Sequence, residues 1–175
     1  MKNNNKDRLF EMMEKINGSD EKPEFIIPVG ISGSGKSRWI KTLDNSYTII
    51  SPDEIRRELT GDVSDQTKNA LVFDTAFKRT IDALNAANNV VFDATNINSF
   101  HRKKMLDTLR EKVSVDFKAY AKIFDADPEV TKERIRLDIE NGVDRSNVPS
   151  HAIDRQYKTF KSDLNKIESD GYLLM

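Results

Sequence analysis

The chain has no cysteine, and only two histidines, His101 and His151, stand among its 175 residues. Disulfide staples, a thiolate-bound zinc, a thiol nucleophile and a His-rich metal site are thereby excluded. Chemistry is left to hydroxyls, carboxylates, lysines and arginines. No run approaches the roughly 18 apolar residues that a membrane span requires, and the opening "MKNNNKDR" lacks the apolar core of a secretory signal. No membrane partner is expected, and the expected location is the cytoplasm. Neither charge is in excess, with 28 Lys and Arg against 29 Asp and Glu. A polyanion would therefore have to be gripped locally rather than by a bulk field. Charged residues make up 33% and hydrophobic ones 37%, with aromatics spread along the chain, which argues for a folded domain and against global disorder. The length suits one domain and is short for two.

Along the chain, Leu9, Phe10, Met13 and Ile16 fall at helical spacing before the turn-rich "NGSDEKPE". Residues 1–24 read as an N-terminal helix and linker, and 25–175 as the main domain. Short β-branched runs then alternate with longer helical stretches. The runs are Phe25 to Val29, Tyr47 to Ile50, Val90 to Phe92 and Val115 to Phe124. Helices are expected over Lys36 to Leu43, Asp53 to Leu59, Gln66 to Ala87, Ser99 to Lys112, Glu129 to Asn141 and Ser150 to Glu168. The closing "GYLLM" reads as a short strand or a hydrophobic anchor. This rhythm predicts an α/β fold, a parallel sheet of about four or five strands between helices. Pro28 cannot donate a ladder hydrogen bond, so it is expected to mark a distorted strand end.

"GISGSGKS", Gly30 to Ser37, follows the first strand and matches the phosphate-loop pattern G-x-x-x-x-G-K-[ST] at every fixed position. In such a loop Gly30, Gly33, Ser34 and Gly35 bring backbone N–H groups toward an anion. Lys36 reaches the β and γ phosphates, and Ser37 coordinates Mg²⁺ bridging them. ATP and Mg²⁺ are the expected donor and cofactor within a P-loop NTPase/kinase fold. No N-K-x-D base-reading motif follows the loop, which disfavours a guanine switch. The second apolar candidate, "VVFDATN", has Ala94 after Asp93 where a motor ATPase would carry glutamate.

Asp53 and Glu54 open the helix after the second strand, on the phosphate-loop side of a parallel sheet. Asp53 there can take a proton from an attacking hydroxyl, or it can simply cap the helix. "GSGKSRW", "DEIR" at Asp53 to Arg56, and "TNIN" at Thr95 to Asn98 followed by Arg102 occur in order. Together, over Phe25 to Phe160, they resemble the kinase domain of bacteriophage polynucleotide 5'-kinase and its bacterial RNA-repair relatives; "FDTA" at Phe73 to Ala76 adds a short further likeness. The resemblance implies that Asp53 is the general base for a 5'-hydroxyl DNA or RNA end and that Arg56 grips the adjacent acceptor phosphate. It also implies that Asp93 holds a Mg²⁺ water, and that Thr95 and Asn96 orient phosphate or acceptor. Arg102, with Lys103 and Lys104, either touches nucleic acid or forms a wet helix face. For a phage-encoded chain the location would be the host cytoplasm.

The family carries arginines in a lid that closes over the donor, shortly before a "VP" that begins the last helix. Here "ERIRLDIENGVDRSNVP" offers Arg134, Arg136 and Arg145 before Val148-Pro149, and Arg136 and Arg145 are the expected lid pair, brought together by a bend at Gly142. Salt bridging to Asp138 or Glu140 is the plain alternative for them. The length leaves no room for a fused 3'-phosphatase or ligase, so a repair partner would be a separate chain. The N-terminal helix has no chemical role in this reading; a contact in a homo-oligomer is the use expected for it. Two rivals stay open: a kinase of sugars, nucleotide-sugars or other small alcohols, like gluconate kinases or zeta-type toxins, and a non-catalytic ATP-binding module.

Overall fold

A computed structural model describes residues 22–175, and the helix expected over 7–16 lies outside them. Five parallel strands form one sheet: β1 (Glu24–Val29), β2 (Tyr47–Ile50), β3 (Asn89–Phe92), β4 (Lys118–Ile123) and β5 (Leu173–Leu174), in the order β2-β3-β1-β4-β5. The helices are α1 (Lys36–Ile40), α2 (Pro52–Thr60), α3 (Asn69–Asn85), α4 (Ser99–Lys112), α5 (Pro128–Glu140) and α6 (Ser150–Asp163), the last continued by a 3₁₀ turn over Leu164–Lys166. Because β1 crosses to β2 in one direction and later connections run the other way, right-handed crossovers carry α1 to one face and α3, α4 and α6 to the other.

One apolar core fills the second face. Phe25, Ile27 and Val29 of β1 meet Val72 and Ala76 of α3, Leu106 and Leu109 of α4, and Ile153 and Phe160 of α6. The stripe read in the last helix does this packing: Ile153, Phe160 and Ile167 are buried, with Tyr157 and Leu164 packed against them. β4 begins at Lys118 rather than Val115. Its partner β1 begins at Glu24, paired with Lys118, so β1 offers nothing for Val115 to Phe117 to pair with. Pro28 lies inside β1, in register with Lys122 of β4. The ladder to β3 ends earlier, at Ile26 and Val91. Beyond it the Asn96 side-chain amide donates to the Pro28 carbonyl at 2.9 Å, so a side chain from the loop after β3 satisfies that acceptor where the ladder to β3 has ended.

Candidate active site

The C-terminal ends of β1, β2 and β3 come together, and the cross-links between them are printed in the backbone. The Asp93 N–H donates to Ile50 O at 2.8 Å, and the Gly30 N–H donates to Thr95 O at 3.0 Å. The phosphate loop, the start of α2 and the loop after β3 are thus one tied unit. A Cβ at Gly30 would lie 2.6 Å from Phe124 O, so only glycine lets the loop pass this close to the end of β4. Gly33 has φ 79°, and a side chain there would press on Thr131 and Ile135 of α5. Ser32 N–H is held by the Gln156 side-chain carbonyl of α6 at 2.8 Å, and Arg134 Nη1 donates to Gly33 O at 3.3 Å.

Lys36 is buried at the loop's mouth, its ammonium donating to Gly30 O at 2.9 Å and Ile31 O at 2.7 Å. Burial pulls its pKa down to about 8; Asp93 and Asp53 oppose that shift, while Arg145 adds to it. Asp93 is raised above the ordinary carboxylate range, first by burial, with Lys36 opposing and Asp53 and Glu54 adding to the rise. The residues fit a polyphosphate: a desolvated cation satisfied only by loop carbonyls, and a buried Ser34 Oγ without a hydrogen-bond partner beside Gly30. Ser37 is exposed at the start of α1.

Ser51 caps α2 and Pro52 occupies its first turn, which sets Asp53 and Glu54 at the helix start. The Asp53 carboxylate is half exposed and is bonded by Arg56 one turn on. Arg56, expected to meet an acceptor phosphate, is only 5% exposed; it bonds Asp53 through Nη1 and Asn69 Oδ1 through Nη2 at 3.0 Å, leaving Nε without a partner. Its bond to Asp53 holds that carboxylate against α2.

Three of the expected site contacts meet a different geometry. Arg102 is turned inward. It is 1% exposed and donates to Asn96 O, Ile97 O and Asp163 O while pairing with Asp170. A buried guanidinium needs all its donors satisfied, and the carbonyls after β3 together with the C-terminal segment do this. Asn96, at φ 50°, likewise turns its amide inward to the carbonyls of Pro28, Phe92 and Ala94, while Thr95 contributes its carbonyl to Gly30. These residues shape the loop from behind. Arg136 projects from the exposed side of α5, paired with Glu133 and Glu140. Ile135 and Arg134 instead face the phosphate loop, and a step of two residues turns a helical side chain by about 200°. Arg145 returns from the segment after α5 to pair with Asp138 and lies near enough to Lys36 to lower its pKa. The preceding Asp144 bonds Arg57 of α2 at 3.0 Å, linking this segment to the helix that carries Asp53. Gln156, Asn69 and the Arg57–Asp144 pair carry no motif and only the three-dimensional arrangement reveals them, while Arg134 is the less favoured of the three arginines offered by the lid stretch.

A family model described as an AAA domain matches residues 25–162. A comparison with curated proteins finds no match. Among solved structures, one chain of the Pnkp1/Rnl/Hen1 RNA repair complex is 24% identical with a TM-score of 0.70, over 86% of this chain and 48% of its own. A second structure of the Pnkp1/Rnl/Hen1 complex gives 28% identity and a TM-score of 0.56, over 67% of this chain and 40% of its own. A putative kinase from Chloroflexus aurantiacus is 15% identical with a TM-score of 0.61, over 78% of each chain. The chain thus spans less than half the length of the two repair-complex chains. The fold it shares with these structures is that of a P-loop kinase.

Proposed function

We propose that this chain, which belongs to the AAA domain family, is an ATP-dependent phosphotransferase that phosphorylates the 5'-hydroxyl of a DNA or RNA end. The observation that carries the reading is that backbone bonds from Gly30 to Thr95 and from Asp93 to Ile50 tie together the loop bearing Lys36, the loop bearing Asp93 and the strand end before the helix that Asp53 opens. Lys36 leaves the loop carbonyls for the donor's β and γ phosphates. Asp53, held by Arg56, accepts the proton of the 5'-hydroxyl as its oxygen bonds to the γ-phosphorus; the bond from that phosphorus to the β–γ bridging oxygen breaks, and ADP departs with the electron pair. Mg²⁺, held through Ser37 and by way of water through Asp93, would neutralise phosphate charge. Arg145 and Arg134 stand closer to the loop than Arg136 and are the lid cations of this scheme. The 28% identity to a chain of the Pnkp1/Rnl/Hen1 complex supports a nucleic-acid acceptor.

A second reading is favoured by one observation. The Arg56 guanidinium is already engaged by Asp53 and Asn69, so its grip on an acceptor phosphate is not preformed, and a small neutral alcohol would not need it. Labelled ATP with Mg²⁺ separates the two when offered a 5'-hydroxyl oligonucleotide, a sugar panel or buffer. Label on the oligonucleotide that vanishes in both Asp53→Ala and Lys36→Ala supports the polynucleotide kinase. Label confined to small molecules supports the second reading, and no transfer to any acceptor rules out both.

A further inference from the structure

A guanidinium carries donors and no acceptor, and burying it leaves those donors to whatever acceptors the fold supplies. For the buried Arg56 the described residues supply Asp53 on Nη1 and Asn69 Oδ1 on Nη2 at 3.0 Å, and nothing on Nε. Each of these bonds therefore decides much of where the cation stands. Asn69 is itself exposed and opens α3, a helix without a side-chain cap. Asparagine at a helix start ordinarily serves as the cap; here its carbonyl oxygen reaches across to α2 instead. Elsewhere α3 is tied to α2 from its cap residue, Lys68 Nζ donating to Leu59 O at 3.1 Å, and by Arg79, whose Nη2 meets Glu58 at 2.6 Å. Neither of those bonds ends on a side chain that is bonded to Asp53; the Asn69 bond does.

We propose that Asn69 is a positioning residue for phosphoryl transfer: by accepting from Arg56 Nη2 it holds the guanidinium that in turn fixes the Asp53 carboxylate. The inference rests on the reading of Asp53 as the base that takes the acceptor's proton. A base swung out of line leaves ATP and acceptor bound, so the loss falls on kcat and not on KM. Phosphorylation of a 5'-hydroxyl oligonucleotide is measured in wild type, Asn69→Ala, Arg56→Gln, the double variant and Arg79→Ala. Asn69→Ala should lower kcat about tenfold, with KM for ATP and for the oligonucleotide unchanged. In the Arg56→Gln background the same substitution should change kcat by less than about twofold, because no guanidinium is left to hold. Arg79→Ala breaks a half-exposed pair between the same two helices and should leave kcat within about twofold of wild type. Wild-type kcat in Asn69→Ala, an undiminished loss in the Arg56→Gln background, or an equal loss in Arg79→Ala overturns the inference and leaves the kinase standing. So does a raised oligonucleotide KM at wild-type kcat, which would give Asn69 and Arg56 to the acceptor phosphate instead. Wild-type protein that transfers phosphate to no oligonucleotide overturns the polynucleotide reading and this inference with it.

Discussion

Lys36 is where the environment of one side chain says most about function. Its pKa is depressed to about 8 because burial disfavours the ammonium, and Asp93 and Asp53 only partly offset that. The unfolded chain holds this proton up to the ordinary value of 10.5, so between about pH 8 and 10.5 it binds more protons than the folded chain. The part of stability that Lys36 controls therefore rises with pH through that window. Binding works the other way. A polyphosphate favours the charged lysine, so ATP binding above pH 8 should take up a proton, and affinity should fall by up to about tenfold per pH unit. Calorimetry of ATP binding in buffers of different ionisation enthalpy measures this uptake directly. Its absence at pH 9 would mean that Lys36 stays charged in the free protein or does not meet the phosphates.

At the scale of elements, α5 decides which arginines can act. Thr131 and Ile135 are its buried residues, and Ile135 borders Gly33, so the helix presents Arg134 to the phosphate loop and Arg136 to solvent. Arg134→Ala is expected to lower kcat by at least tenfold, because an arginine lost from a transferring phosphoryl group removes charge stabilisation at the transition state. Arg136→Ala should leave kcat within about twofold, since an exposed pair of this kind contributes little. Steady-state kinetics of the two variants side by side is the check, and the opposite order would restore Arg136 to the lid. The segment after α5 adds Arg145, which must part from Asp138 to reach a donor phosphate.

For the whole molecule, the buried Arg102–Asp170 pair joins the C-terminal segment to the loop behind the site. Ser99 strengthens the joint, its hydroxyl bonding Asp170 and its N–H bonding Asp163, while the Tyr172 hydroxyl donates to Arg102 O. Arg102→Met would leave the Asp170 carboxylate, 5% exposed, without its cation, at a cost of about 3–5 kcal/mol. For a domain of this size that corresponds to a loss of roughly 10 °C in Tm. Thermal unfolding followed by circular dichroism tests it. The double change Arg102→Met/Asp170→Asn should recover part of the loss, because the stranded charge is gone.

Local signals in the sequence determined a good deal. Short β-branched runs placed four of the five strands within a few residues, and the ends of α4 agree with its spacing and its Asn98 cap. The phosphate loop was legible because glycines, a lysine and a hydroxyl at fixed steps have few other uses. The place of Asp53 at the opening of a helix after a parallel strand was legible from Ser51 and Pro52 before it. What Arg56, Arg102, Arg134, Arg136 and Gln156 touch was decided only by the tertiary structure. Arginine has the same local signature whether it is solvated, paired across the core or aimed at a phosphate, and its partners here, such as Asp170 for Arg102 or Gly33 for Arg134, are distant in the chain. Periodicity reports which face of an element is apolar; which charged groups meet across elements depends on how those faces pack.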